Sequence, residues 1–167
     1  LADSSAKHIL EEIAERVAEE AQRTGKDLVT IAESDLNDPR MIAATHRHGL
    51  GMDAQWLDDV HHAAHTAFTG ETQGYYGDFA SLHALEKTMH TAYFHNGTYS
   101  TFRGRSHGRE IDPVEQRPYQ FVTFLQNHDQ VGNRAAGDRM NQSMSVDRAI
   151  AAATWLLAQP FTPMLFM

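Results

Sequence analysis

Apolar residues recur along the chain with two different periods, and these periods predict alternating helices and strands. The segment DSSAKHILEEIAERVAEEAQRTGKD has an apolar residue at every fourth position among charged ones, which is typical of an amphipathic helix. The predicted apolar stripe of this helix is Ile9, Ile13, Val17 and Ala21. A polar side chain among residues 3–5 is expected to cap its start, and Gly25 is expected to end it.

Short apolar runs predict strands, and two of them end on polar residues. LVTIA is read as a buried strand that leads into Glu33, and YQFVTFLQ as a buried strand that leads into the polar triplet Asn127, His128 and Asp129. MDAQW predicts a shorter strand that becomes a helix from about Asp58. FTPMLFM is typical of one more strand.

Two further helices and one long loop complete the pattern. DFASLHALEKTMHTAYFH predicts a helix, and SMSVDRAIAAATWLLAQ predicts another. The expected apolar positions of the first are Leu82, Leu85, Met89 and Tyr93. Glycines and prolines among charges over residues 96–118 predict a long irregular loop, and a second loop is expected through Gly132 and Gly137.

The order of these elements predicts an α/β fold with a parallel sheet and helical crossovers. Strands read as continuous apolar runs when helices cover both faces of the sheet, as in barrels and doubly wound folds. In both architectures, ligands bind at the carboxyl ends of the strands. Glu33 and Asp129 both follow predicted strands directly, so we expect them at the same edge of the sheet.

Composition restricts the class of partner. The 167 residues are 41% hydrophobic and 22% charged, which is typical of one globular domain. A formal net charge of −8 argues against a nucleic-acid partner, because such partners require a basic face. The sequence has neither an apolar run long enough to span a membrane nor the pattern of a signal peptide, and it contains no cysteine. These features favour a cytoplasmic protein.

Two carboxylates at one edge of a sheet can take different catalytic roles in the cleavage of a glycosidic bond. One donates a proton while the other stabilises positive charge, as in glycosidases. Glu33 and Asp129 are the candidates, and His128 could donate a hydrogen bond to a sugar hydroxyl. Each of these residues, taken singly, is better explained as a solvated loop residue; two acids after two apolar strands make the two interpretations about equally good.

A histidine-rich helix offers a competing interpretation. His61 and His65 in DDVHHAAH are four residues apart on one helical face, a spacing used by metal sites. The motif lacks the glutamate that directly follows the first histidine in zinc metalloprotease helices. We therefore predict no metal site and no cofactor, and regard a metal-dependent hydrolase as the less favoured alternative.

Four longer motifs resemble the maltooligosyltrehalose trehalohydrolase family, which is part of the α-amylase superfamily of glycoside hydrolases. They are IAESDLNDPR, DAQWLDDVHHAAHTAFTGETQGYYGDF, YSTFRGRSHGR and FLQNHDQVGNRAAGDR. The resemblance implies an α/β fold that is part of a (β/α)8 TIM barrel, from roughly the helix after strand 4 through strand 8. Residues 1–167 would then be the C-terminal half of the catalytic barrel, with the loop at about 96–118 as a functional loop.

The resemblance also implies roles for individual residues. Glu33 would be the general acid and base, and Asp129 would be the carboxylate that stabilises the oxocarbenium-like transition state. Asn127 and His128 would contact the substrate beside it. The further residues implied to bind the trehalose end of a maltooligosyltrehalose or maltodextrin-like oligosaccharide are Asp58, Tyr76, Phe102 and Arg103.

In this family, the nucleophilic aspartate belongs to a motif that would precede Leu1. A retaining glycosidase cannot form its covalent intermediate without that carboxylate. We therefore expect the 167-residue chain by itself to be inactive. Unpaired sheet edges are also expected to favour self-association.

Two alternatives come from the same motifs. The chain could belong to another enzyme of the α-amylase superfamily, such as a branching enzyme or an amylase. It could also be a carbohydrate-binding remnant without turnover, which keeps aromatic and arginine side chains for sugar contacts.

Overall fold

The computed structural model describes residues 3–166, and its centre is a four-stranded parallel sheet. The strands of this sheet are β1 (Ile31–Ala32), β2 (Ala54–Trp56), β5 (Phe121–Thr123) and β6 (Thr162–Pro163), side by side in that order. Every neighbouring pair runs parallel. The predicted parallel sheet is therefore confirmed, and all four strands place their carboxyl ends at one edge.

Helices connect and cover these strands. They are α1 (Ile9–Thr24), α2 (Asp58–Thr69), α3 (Leu82–Thr91), α4 (His128–Gly132) and α5 (Val146–Leu157). The helix predicted from about Asp58 begins at that residue, and α1 ends where Gly25 adopts φ +67°. The predicted final strand is confirmed over two residues; Met167 lies outside the described range.

The central strand β5 has the burial that its apolar run predicts, whereas the edge strand β1 has it on one face only. Phe121, Val122 and Thr123 are all buried. Val29 and Ile31, by contrast, are 69% and 46% exposed. Thr30 and Ala32 on the other face are buried, so the predicted buried strand is confirmed for one face only, and the face of Val29 and Ile31 is open to solvent.

Two helices turn a different face inward from the predicted one. Ile9 and Ile13 of α1 are exposed, and α1 instead packs through Leu10 and Ala14 against the main core. In α3, Leu82 is 75% exposed, and the buried side chains are Ala84 and Thr88. Leu85 and Tyr93, from the predicted set, do pack in the core, so the prediction for α3 is wrong at Leu82.

Both segments that were predicted as loops contain regular structure. Within residues 96–118, β3 (Thr98–Ser100) and β4 (Arg105–His107) form an antiparallel hairpin, which we call the arginine hairpin. The chain after β5 does not continue as a loop from its polar tip, because α4 begins there. The polar triplet thus opens a short helix.

The main core lies where α2 and β5 meet, and it anchors the elements that surround the carboxyl edge. Leu57, Val60, Tyr93 and Phe121 are completely or almost completely buried in it. Within residues 3–166, no helix combines the length and the apolar character that a membrane span requires.

Candidate active site

Three carboxylates from three different strands line one cleft at the carboxyl edge of the sheet. Glu33 directly follows β1, Asp58 is the first residue of α2 after β2, and Asp129 is the second residue of α4 after β5. All three border a cavity of about 520 Å³. The parallel sheet thus brings together acids that are up to 96 positions apart in the sequence.

Glu33 has a direct partner in His128. The Oε1 atom of Glu33 lies 3.4 Å from Nε2 of His128, and both side chains are more than half exposed. The imidazole ring lies with its centroid 5.7 Å from the indole of Trp56. A carboxyl group and an imidazole are therefore presented side by side to solvent, on an aromatic support.

Asn127 lies below the cleft surface and holds the start of α4. Its Oδ1 accepts the backbone N–H groups of Asp129 (2.9 Å) and Gln130 (3.3 Å), and its side chain is buried. The side chain of Gln130 accepts the N–H of Asn127 in return, which completes a capping box. The structure thus does not bring Asn127 to the cleft surface, and its predicted substrate contact stays a prediction.

The pKa of Asp58 is strongly raised. Partial burial, together with the negative charges of Asp35, Asp59, Asp129 and Glu33, raises its pKa to about 7. Near neutral pH, the side chain is therefore a mixture of carboxylic acid and carboxylate. It can donate a hydrogen bond to a sugar hydroxyl in one form and accept one in the other.

We predict that the ionisation of Asp58 destabilises the fold above neutral pH. A carboxyl with a raised pKa stabilises the folded state fully below its unfolded pKa of 3.8, and this contribution is lost as the pH rises through about 7. Asp58→Asn cannot ionise, so it should be more stable than the wild type at pH 8 by about 2–4 kcal/mol. Urea denaturation at pH 4 and pH 8 checks this; an identical difference at both values would contradict it.

The predicted aromatic and basic contacts fall into three different environments. Phe102 lies in the turn of the arginine hairpin and is 59% exposed. Tyr76 is only 5% exposed, with its ring stacked on His65 at 4.2 Å. Arg103 donates from Nη2 to Oδ2 of Asp35 at 2.6 Å. Phe102 is therefore free to stack on a sugar, whereas Tyr76 is packed and Arg103 is already paired.

The histidines of α2 are engaged in the protein interior. His61 donates from Nδ1 to the carbonyl of Leu125 (2.7 Å), and its Nε2 lies 3.1 Å from the hydroxyl of Tyr76. His65 contacts Glu71 at 2.8 Å. Burial lowers the pKa of both histidines. In the part of the chain that the structure describes, no three potential ligands are grouped to hold a metal ion.

Sequence reasoning missed the acids that surround this site. Asp35 lies beside Glu33 in the cleft lining, and Asp59 is buried behind Asp58. The sequence does show that Asp35 is close to Glu33 and that Asp59 is adjacent to Asp58. Their partners come from the arginine hairpin and from residues 94–95, and no local pattern indicates such contacts.

The whole chain is similar to curated proteins named malto-oligosyltrehalose trehalohydrolase. It is 55% identical to the protein from Arthrobacter ramosus and 49% identical to that from Rhizobium sp., with all of this chain matched in each case. The protein from Saccharolobus solfataricus is 42% identical over 99% of this chain. No family model matches the chain.

The chain belongs to the malto-oligosyltrehalose trehalohydrolase family. These matches confirm the predicted family resemblance. They also confirm that the chain resembles glycosidases. The chain spans about 29% of the length of the relatives from Arthrobacter ramosus and Mycobacterium tuberculosis.

A solved structure supports the α/β fold of this segment of the malto-oligosyltrehalose trehalohydrolase family. The crystal structure of a putative alpha amylase from Salmonella typhimurium matches 99% of this chain with a TM-score of 0.87 and 37% identity. The match covers 28% of that chain. The four parallel strands described above are consistent with part of a barrel.

Proposed function

We propose that the protein carrying this chain is a retaining glycoside hydrolase that releases trehalose from maltooligosyltrehalose. The bond cleaved would be the α-1,4 bond next to the trehalose end. The observation that carries the proposal is the shared cleft of Glu33, Asp58 and Asp129, with His128 in contact with Glu33. The names of the homologues support the choice of substrate.

Within this proposal, the chain supplies the carboxyl-terminal half of the catalytic barrel. Strands β1, β2, β5 and β6 would be its fifth to eighth strands. Their parallel order supports this assignment, as does the position of the acids at their carboxyl ends. The arginine hairpin would be the functional loop between two of these strands.

The cleft residues would act in two chemical steps. Glu33 would protonate the glycosidic oxygen as the bond breaks and then, as a carboxylate, remove a proton from the attacking water. Asp129 would stabilise the positive charge that develops on the sugar ring, and His128 would donate to a hydroxyl. The nucleophilic carboxylate would come from the motif that the family resemblance places before Leu1.

The trehalose end would be held by the remaining predicted residues. Phe102 offers an exposed ring on which a sugar face can stack. Asp58 can exchange hydrogen bonds with hydroxyl groups in either protonation state. Arg103 and Tyr76 would act from behind these groups, since both are held by protein partners.

Substrate preference of the longer protein that contains this chain tests the proposal. Maltooligosyltrehalose and a maltodextrin of equal length would be compared by chromatography of the released sugars. We expect trehalose as the product and a strong preference for the first substrate. Equal cleavage of both substrates, or no trehalose, would contradict the proposal.

The second candidate is another activity of the α-amylase superfamily. It is favoured by the solved structure named putative alpha amylase, which is 37% identical to this chain. An amylase would cleave plain maltodextrin at least as well, and a branching enzyme would create new α-1,6 bonds. Saturable maltodextrin binding without any cleavage would instead favour a carbohydrate-binding protein.

We predict that residues 1–167, expressed alone, neither release trehalose nor remain monomeric. The proposed nucleophile is not among these residues. Val29 and Ile31 leave an apolar surface at strand β1, which within residues 3–166 pairs with β2 alone. A trehalose assay and light scattering would be run beside the longer protein. A monodisperse monomer, or trehalose release that Glu33→Gln abolishes, would contradict the prediction.

A further inference from the structure

The loop that carries Glu33 is fastened to the arginine hairpin at two points, and to the chain that follows the hairpin at a third. Arg103 donates to the carboxylate of Asp35 at 2.6 Å, and Nε2 of His107 donates to the backbone carbonyl of Asp35 at 2.8 Å. Further along the loop, the backbone N–H of Arg109 donates to the carbonyl of Asn37 at 2.9 Å. The hairpin therefore constrains the backbone on the carboxyl side of Glu33.

A buried carboxylate lies where this loop and the segment leading into the hairpin meet. Oδ2 of Asp59 accepts two hydrogen bonds, one from Nδ2 of Asn37 at 2.8 Å and one from the backbone N–H of His95 at 2.9 Å. The N–H of Phe94 also donates to this carboxylate. Nδ2 of Asn37 donates in addition to the carbonyl of His95 at 3.0 Å. Asp59, Asn37 and residues 94–95 form what we call the Asp59 junction.

The backbone around this junction is held in unusual conformations. Asn37 has φ +51°, in the left-handed region, although it is not a glycine, and it is only 3% exposed. This conformation is uncommon for residues with a side chain, although asparagine adopts it more readily than most. The hydrogen bond from its side chain to Asp59 helps to hold Asn37 in this conformation. Asp59 itself is 5% exposed and lies behind the cleft.

We propose that Asp59 is a positioning residue, which fixes the place of Glu33 in the cleft through Asn37 without touching the substrate. This inference rests on the proposed role of Glu33 as general acid. A displacement of about 1 Å in a catalytic group can lower a rate by about 10²-fold, so a residue that fixes the loop affects the chemical step. The adjacent Asp58 lines the cleft, whereas Asp59 faces the loop and residues 94–95.

A carboxylate fits this position because the hydrogen bonds recorded for its side chain all come from donors. Asp59 accepts from one amide side chain and two backbone N–H groups. An asparagine has the same shape but only one acceptor oxygen. If that oxygen keeps the two bonds made at Oδ2, the NH₂ group takes the place of the other oxygen and can no longer accept from the N–H of Phe94. Asp59→Asn therefore weakens the junction with little change in volume.

Two substrates that differ in their leaving group can show whether Asp59→Asn displaces the acid Glu33 or only destabilises the fold. Maltooligosyltrehalose requires protonation of its glycosidic oxygen, whereas an α-maltooligosaccharyl fluoride releases fluoride without it. For Asp59→Asn in the longer protein, we expect kcat/KM to fall about 30- to 100-fold on maltooligosyltrehalose. On the fluoride it should fall less than about threefold, because kcat/KM reports only steps up to bond cleavage.

Asp53→Asn is the matched control. Asp53 accepts both the backbone N–H (2.6 Å) and the hydroxyl (2.8 Å) of Thr30, and it fastens two chain segments at the opposite, amino edge of the sheet. Its loss should lower thermal stability and leave the ratio of the two kcat/KM values as in the wild type. If Asp59→Asn does not fold, Asn37→Gly removes the other half of the contact and tolerates φ +51°, so it should show the same selective loss.

Two results separate this inference from the proposed function. Equal losses on both substrates in Asp59→Asn, or in Asn37→Gly, would overturn the positioning role while the wild type still releases trehalose. A wild type that cleaves maltodextrin but releases no trehalose would overturn the proposed substrate instead. Positioning by Asp59 would then still be supported by a selective loss on maltodextrin relative to the fluoride.

Discussion

Glu33→Gln in the longer protein that carries this chain is expected to lower trehalose release by about 10²- to 10⁴-fold. Glutamine keeps the size and polarity of the side chain but can neither donate the acidic proton nor act as a base. Glu33 is well placed for both tasks, since it is more than half exposed and lies 3.4 Å from His128. Initial rates of trehalose release from maltooligosyltrehalose, measured for both proteins at equal concentration, check the prediction.

If Glu33 is the general acid and base, azide should also restore activity to the Glu33→Gln variant with a suitable substrate. With the α-maltooligosaccharyl fluoride, the first step no longer requires protonation, and added azide can attack the glycosyl-enzyme without a base. Azide should therefore accelerate the Glu33→Gln variant and leave the wild type almost unchanged. Glu86→Gln, on the exposed surface of α3, is the control and should behave as the wild type. Full activity in Glu33→Gln would remove this residue from the mechanism.

The location of the cleft could be predicted because it depends on a local pattern. An apolar run followed at once by an acid places that acid at the carboxyl end of a strand, and parallel strands bring such ends together. This argument predicted that Glu33 and Asp129 lie at one edge, and they border one cavity. The start of α2 at Asp58 followed from the change in period along the same segment.

The surroundings of the cleft could not be predicted because they depend on distant contacts. Nothing in the sequence indicates that Arg103 pairs with Asp35, 68 positions away, or that Asn37 pairs with Asp59. The burial of individual side chains could not be predicted from the sequence either. The family resemblance implied that Tyr76 binds the sugar, and the sequence did not indicate that its ring is packed against a histidine of α2.

These hidden contacts connect two chemical properties of the site. Asp58 and Asp59 are adjacent in the sequence, and burial raises the pKa of both, to about 7 and about 6. The first faces the cleft and the second faces the Asp59 junction. One helix start therefore presents a carboxyl to the substrate and fastens the loop of the proposed acid, which makes the orientation of α2 critical for both.

Gly108→Ala is expected to lower the free energy of unfolding by more than about 3 kcal/mol, the largest stability effect that we predict for a single methyl group. Gly108 has φ +77°, and a Cβ there would lie 1.8 Å from the carbonyl oxygen of His95 and 2.9 Å from Cβ of Asn37. Both neighbours are part of the Asp59 junction, so relief of the clash must displace it. Chemical denaturation of the longer protein measures the loss, and trehalose release should fall with it.

Gly104→Ala separates the clash from the backbone conformation. Gly104 lies in the same hairpin with φ +62°, but a Cβ there would meet nothing within 4 Å. Its substitution should cost only the conformational penalty of about 1–2 kcal/mol and should leave the catalytic rate nearly unchanged. The difference between the two variants is then the contribution of the close approach between Gly108 and His95. If both variants lose the same stability, the chain at Gly108 is not packed tightly against the Asp59 junction.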